Sequence, residues 1–277
     1  SSDGVLLALH DDNLQRTTDI AMVYPDRQDA FTYDLTFKEL MALDAGSWFN
    51  TSSLNQARPG FAGQGVLTLE DVFMIASGKR IAMENGKRKY DYNETTKKYT
   101  FYYEEDPYDN GNRPGVYIEF KEAWMFPEIE QETYDLLDRL GWNIITKPEP
   151  ENAPYYTADG KVNVGNTNGK VILQTFSKQS LQTSADVFKG QIPMWLSDGF
   201  LQNDASPRSY ADAINYAVKN KAHYTGPSIS GAPNNYDDIL LPWQADLTHK
   251  AELKIHAYSF DSPEQMKKYY GLRYGFD

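Results

Sequence analysis

The chain has 277 residues, enough for one large domain or two small ones and for a substantial core. It carries 27 Lys and Arg against 39 Asp and Glu, a formal charge of −12, which repels phosphate backbones and excludes nucleic acid as the expected partner. There is no Cys, hence no disulfide and no thiolate metal site, and no apolar run approaches the roughly 18 residues of a membrane span.

Asp3-Gly4 is a hairpin-turn dipeptide, and Val5 to Leu9 after it reads as a short apolar strand. A hairpin needs a strand before its turn, so the chain reads as starting within a motif, and Ser1-Ser2 does not resemble a native start. No signal peptide is visible. After His10-Asp11-Asp12 the chain is polar and irregular to Phe31. Thr36 and Glu39 form a capping box for a short helix ending near Asp44. Residues 46–66 are loop-like, and Thr68-Leu69-Glu70-Asp71 opens a helix to about Ser77. Residues 85–113, with Asn85-Gly86, Tyr90, Tyr92, Tyr99, Tyr102 and Tyr103, read as an inserted polar β-hairpin whose tyrosines form cross-strand pairs.

From Val116 a strand–helix alternation sets in. Strands are predicted over 116–120, 171–176, 192–196, 222–225 and 253–260, and helices over 127–140, 178–188, 206–220, 243–251 and from Ser262 onward. Gly141 stops the first of these helices, and Ser206-Pro207 and Ser262-Pro263 start later ones. Repeated strand-then-helix units imply a parallel sheet with helices outside it. Length and unit number favour a barrel over an open sheet, and barrel active sites lie at the C-terminal ends of strands. The polar strand-end residues His10, Glu119, Lys121, Gln174, Asp198 and Tyr258 are therefore the ones to weigh.

His10, taken alone, is more readily a turn histidine than a general acid or base. Tyr117, Glu119 and Lys121 share one strand face by period-two alternation. A salt bridge at the rim explains Glu119 and Lys121 as well as the alternative does, in which Glu119 holds a divalent metal and Lys121 meets an anion. Trp124 and Phe126 directly follow this strand. They are either packing or a wall of the site.

The string Asp3-Gly4-Val5-Leu6-Leu7-Ala8-Leu9-His10-Asp11-Asp12-Asn13-Leu14-Gln15-Arg16-Thr17-Thr18 closely resembles the signature of the glycerophosphodiester phosphodiesterase family. Thr36 to Asp44 with Gly46-Ser47-Trp48-Phe49, Leu67-Thr68-Leu69-Glu70-Asp71-Val72, Ile118-Glu119-Phe120-Lys121, Gln174-Thr175-Phe176-Ser177 and Ile255-His256-Ala257-Tyr258-Ser259 resemble further family motifs, in family order. The resemblance implies a TIM-type (β/α)₈ barrel over 1–277 with a small insertion at about 12–66, besides the hairpin insertion at 85–113. It implies hydrolysis of glycerophosphodiesters to glycerol 3-phosphate and an alcohol, within lipid and glycerol metabolism. It assigns His10 to acid–base catalysis, Lys121 to the phosphate and Glu119 to a divalent metal. Oxygen ligands make that metal Ca²⁺ or Mg²⁺. Trp124, Gln174, Phe176 and Tyr258 are the expected contacts to the small-molecule substrate.

The family's opening His-Arg strand, its Glu-x-Asp strand and its last strand, due at Asp277, are absent from the sequence. The expectation is therefore a barrel lacking its first two strands and its last, and a chain that is weakly active or inactive. Two other readings stay open. One is a phospholipase D-like lipid phosphodiesterase of the same superfamily. The other is a degenerate, non-catalytic barrel that binds a ligand through its aromatic surface. The stretch 19–27 and the aromatic run after Lys121 lean toward the periplasmic or secreted branch.

Overall fold

The computed structural model describes residues 1–197 and 206–270. Its contacts divide the chain into two units, Ser1–Pro114 with Tyr156–Asn163, and Gly115–Tyr155 with Val164–Asp277. Asp198 and Asp277 lie outside the described residues.

The first unit carries short helices α1 (Ile20–Val23), α2 (Phe37–Leu40), α3 (Ser47–Ser52) and α4 (Leu69–Ala76). The capping boxes at Thr36 and Thr68 are formed, each satisfying two helix-end groups reciprocally. Leu14, Ile20, Leu35, Leu40 and Leu43 close a core under these loops. Val5–Leu9, predicted as a strand, is not one. Leu7 makes a single antiparallel bridge to Thr68, and Ala8 N–H donates to the Leu67 carbonyl. The Asp3-Gly4 turn is closed by Ser1, whose hydroxyl accepts from Val5 N–H at 2.8 Å. The apolar run is used to bury Leu7 and Leu9 against the core.

After α4 come β1 (Lys79–Ile81), β2 (Met83–Glu84), β3 (Lys87–Arg88), β4 (Tyr90–Asn93), β5 (Lys98–Phe101) and β6 (Tyr103–Glu105). The pairs β2–β3, β4–β5 and β1–β6 are all antiparallel. Asn85 and Gly86 both have positive φ, 53° and 74°, the backbone that a two-residue hairpin turn requires. The antiparallel pairing thus begins at Lys79 rather than within 85–113. Tyr92 lies opposite Tyr99 with ring centroids 4.6 Å apart.

The second unit alternates β7 (Val116–Phe120), α5 (Ile129–Leu140), β8 (Val171–Thr175), α6 (Lys178–Val187), β9 (Met194–Ser197), α7 (Pro207–Lys219), β10 (Tyr224–Gly226), α8 (Pro242–Lys250), β11 (Lys254–Ile255) and α9 (Pro263–Tyr269). The five strands form one parallel sheet in the order β11-β10-β9-β8-β7. Among the described residues this sheet does not close on itself. Two helices start at the predicted signals, Ser206-Pro207 for α7 and Ser262-Pro263 for α9; in addition the Ser177 side chain accepts a first-turn amide of α6, and Pro242 opens α8. Gly141, at φ 79°, ends α5. The late strand predicted over 253–260 is shorter. Among the described residues it pairs only with the three-residue β10, and the ladder resumes as one bridge between Tyr258 and Ser228.

Candidate active site

Strand β7 buries Val116, Ile118 and Phe120 on one face and turns Tyr117 and Glu119 to the other, as period-two alternation demands. At its C-terminal end the chain passes through Lys121 and Glu122 into a turn of 3₁₀ helix, Ala123–Met125. Glu122 holds φ 46°, a left-handed backbone that few residues with a Cβ adopt. That turn projects Trp124, which is 67% exposed, and the indole N–H donates to Glu122 Oε2 at 2.5 Å. Across the ladder, β8 ends at Thr175 and delivers Phe176 and Ser177. Together Glu119, Phe120, Lys121, Glu122, Trp124, Phe176 and Ser177 line a cavity of about 460 Å³ at the C-terminal mouth of two parallel strands.

Glu119 Oε1 is buried and has no hydrogen-bond partner, and Lys121 Nζ lies 3.6 Å from it. That separation is an ion pair too long for a hydrogen bond. The Lys121 ammonium lies 5.6 Å from the centroid of the Phe176 ring. Of the predicted site residues in this unit, Glu119, Lys121, Trp124 and Phe176 therefore share one cavity. Gln174 is paired with Glu119 in the ladder but is buried outside the lining. Tyr258 stands edge-on to Phe176, with centroids 5.7 Å apart. On the face shared with Glu119, Tyr117 stacks on His256 at 5.2 Å. Desolvation, then the Glu119 charge, pushes the Tyr117 hydroxyl up, and desolvation pushes the His256 imidazole below its ordinary value.

His10 belongs to the first unit and is exposed. Its Nδ1 lies 2.7 Å from Asp11 Oδ1, and Arg16 grips the same carboxylate through Nε at 2.6 Å and Nη2 at 2.8 Å. The Arg16 hydrogen bonds, against the opposing cost of burial, hold Asp11 down at about 2. An ionised carboxylate only accepts, so Nδ1 is the donor of that bond. Arg16 in turn lies 5.0 Å from the centroid of the Trp48 ring.

A divalent cation would find one suitable donor in Glu119, whose buried Oε1 has no hydrogen bond and only the Lys121 ammonium at 3.6 Å. Among the described residues no group of three His, Asp or Glu side chains comes together to complete a metal site. Sequence reasoning missed Glu122 and Ser177 in the cavity, and Asp11 with Arg16 behind His10. Asp11 and Arg16 stand inside the quoted signature, so the charge pairing at that spacing was a usable signal. Ser177 stood in the sequence only as the end of the Gln174-Thr175-Phe176-Ser177 string, and the structure makes it the cap of α6.

A family model described as the glycerophosphoryl diester phosphodiesterase family matches residues 1–133. Glycerophosphoinositol inositolphosphodiesterase GDPD2 of Mus musculus is 49% identical over 49 residues, which is 18% of this chain and 9% of that protein. A glycerophosphodiester phosphodiesterase of Bacillus subtilis strain 168 is 38% identical over 72 residues, 26% of this chain and 22% of that protein. The chain thus matches well under two thirds of these relatives' lengths. Crystal structures described as glycerophosphoryl diester phosphodiesterases from Agrobacterium tumefaciens strain C58 and Silicibacter pomeroyi DSS-3 superpose with TM-scores of 0.56 and 0.57. Their identities are 12% and 13%, and each match covers 97% of this chain and 73% of the other. At that identity the likeness carries the fold, that of a TIM barrel, of which this chain shows an unclosed parallel sheet.

Proposed function

We propose, from the premise that residues 1–133 belong to the glycerophosphoryl diester phosphodiesterase family, that the chain hydrolyses glycerophosphodiesters to a glycerol phosphate and an alcohol. The observation that carries this reading is the Glu119–Lys121 pair at the mouth of β7, with one buried carboxylate oxygen lacking a hydrogen-bond partner. Lys121 is the cation that receives the phosphate, in a cavity also lined by Glu119, Glu122, Ser177 and aromatic rings. In the reaction, the oxygen of water bonds to phosphorus, the phosphorus–alcohol bond breaks, and the leaving alkoxide takes up a proton while the attacking water gives one up. The resemblance in the string Asp3 to Thr18 is what assigns His10 to proton exchange, and its Nδ1 is tied to Asp11. The side-chain role of Tyr258 and Phe176 is to wall the substrate.

Family members are generally dependent on a divalent metal. Glu119 is this chain's donor to it, and Ca²⁺ or Mg²⁺ suits an oxygen ligand. When bound, such an ion withdraws charge from the phosphate oxygens. One carboxylate alone holds Ca²⁺ weakly, so turnover of this polypeptide is slow. A periplasmic or secreted location, and a place in lipid and glycerol metabolism, belong to the same proposal.

The test is release of glycerol phosphate from glycerophosphocholine, with the Bacillus subtilis relative assayed beside it. The expected result is slow hydrolysis that EDTA abolishes, that Ca²⁺ or Mg²⁺ restores, and that Glu119→Gln removes. Hydrolysis untouched by both EDTA and Glu119→Gln would contradict the metal role. No hydrolysis by the wild type at any divalent-metal concentration would contradict the activity.

A further inference from the structure

We infer that Lys268, at the end of α9, is a positioning residue for the candidate site: it ties down the loop 227–241, and through that loop it seats the Tyr258 ring against Phe176. This rests on the phosphodiesterase reading, in which Tyr258 walls the substrate.

The loop leaves the C-terminal end of β10, the end of a parallel sheet at which barrel sites are built, and it forms no helix or strand before α8. Loops of this length without structure of their own are uncommon and usually functional. Its start runs beside the segment after β11. Ile229 N–H donates to the Tyr258 carbonyl at 2.9 Å, and Tyr258 N–H donates to the Pro227 carbonyl at 3.1 Å. Farther along, the loop carries Tyr236, which stands edge-on to Tyr258 with ring centroids 5.7 Å apart. Tyr258 thus meets the loop with both its backbone and its ring. Its ring also stands 5.7 Å from that of Phe176, which lines the cavity with Lys121.

The loop is fastened by α9. An ammonium has three N–H donors, and Lys268 Nζ has an oxygen for each: Ser230 Oγ at 3.0 Å, Asp238 Oδ2 at 2.8 Å and Tyr269 Oη at 2.7 Å. Ser230 and Asp238 stand near the two ends of the loop, and the Ser230 hydroxyl donates to Asp238 Oδ2 at 3.2 Å. Tyr269 is fully buried in a cluster with Ile229, Leu240 and Ile255. One ammonium therefore closes the loop on itself and fastens it to the core. Gln265, one turn earlier on α9, adds a bond to the Gly231 carbonyl at 3.1 Å. The Lys268 side chain is 44% exposed, so its removal opens no buried cavity. The cluster does not make a nucleophile of Ser230: an ammonium paired with a carboxylate has no lone pair to take the serine proton.

The experiment compares the full chain with Lys268→Met, Lys268→Arg, Tyr236→Ala and the double variant Lys268→Met with Tyr236→Ala, by amide hydrogen exchange and by steady-state hydrolysis of glycerophosphocholine. In Lys268→Met the amides of Ile229, Ile239 and Tyr258 should exchange about tenfold faster, while those of β7 and β8 keep their rates and show that the variant folds. KM should rise by about tenfold and kcat should change by less than about twofold, the pattern of lost substrate seating. Lys268→Arg keeps a charge for Asp238 but not three donors on one atom, and it should recover part of both effects. The double variant should be no worse than the poorer single variant, because both changes act through Tyr258. Unchanged exchange in Lys268→Met, faster exchange with an unchanged KM, a loss confined to kcat, or additive losses in the double variant overturns the inference. If the wild type binds the diester without hydrolysing it, the phosphodiesterase reading fails, and the dissociation constant from calorimetry replaces KM in the same comparison. A wild type that neither binds nor hydrolyses the diester overturns both.

Discussion

Replacing Asp71 by Ala should cost the first unit about 4 kcal/mol. Asp71 is fully buried at the start of α4 and serves four donors at once. Arg88 Nη1 lies 2.5 Å from Oδ2 and Nη2 lies 2.6 Å from Oδ1. Tyr103 Oη donates to Oδ1 at 2.8 Å, and Thr68 N–H donates to Oδ2 at 2.7 Å. Arg88 itself is sandwiched near Phe101 and Phe37, 4.1 Å and 5.3 Å from their ring centroids, and its side chain is 11% exposed. Removing the carboxylate leaves this guanidinium unpaired in an apolar setting, a loss of about 3 to 5 kcal/mol in comparable buried pairs. Its slight exposure favours the lower end, and the lost bond to Thr68 adds about 1 kcal/mol. At about 2 to 4 °C per kcal/mol, the melting temperature should fall by on the order of 10 °C. Thermal unfolding followed by near-ultraviolet circular dichroism reads it through the tyrosines of β4 to β6. The double variant Asp71→Leu with Arg88→Met should recover part of the loss, since it buries no orphan charge. A drop below about 2 °C, or a double variant no more stable than Asp71→Ala, would refute the reasoning.

Three further outcomes are expected. Lys121→Met should lower kcat/KM for a glycerophosphodiester by about a hundredfold, because a charge about 4 Å from phosphate is worth a few kcal/mol at an intermediate dielectric; Lys121→Arg should retain part of it. Asp11 is held at about 2, below its ordinary 3.8, so its bond to Arg16 contributes fully above about pH 4 and is lost as pH falls toward 2; acid unfolding of wild type and Asp11→Asn should differ above that window and converge below it. His256 is held below 6.5 by burial. The unfolded chain therefore binds its proton first, and this contribution to stability is present above pH 6.5 and lost as pH falls through the folded value. Imidazole resonances of His256 in a proton NMR titration should have a midpoint below 6.5, and a midpoint above it would contradict the burial.

The strand–helix units after Val116, the capped helix starts at Thr36, Thr68, Ser206 and Ser262, and the Glu119–Lys121 spacing were all legible in the amino-acid sequence. Each depends on neighbours within a few positions: side-chain alternation in a strand, a hydroxyl reaching an amide three residues on, a ring-locked proline. Partner choice across the chain was not legible. The run Val5–Leu9 has strand character, but its bridge goes to Thr68 and its leucines go into a core of loops. Nothing local pairs Asp71 with Arg88, or sets Phe176 across from Lys121; β7 and β8 do the latter by aligning Glu119 with Gln174. The seat of Trp124 arises likewise from a left-handed turn at Glu122, where no glycine marks it. Short-range chemistry determines which elements form, whereas the surfaces those elements leave to be buried decide which distant side chains meet.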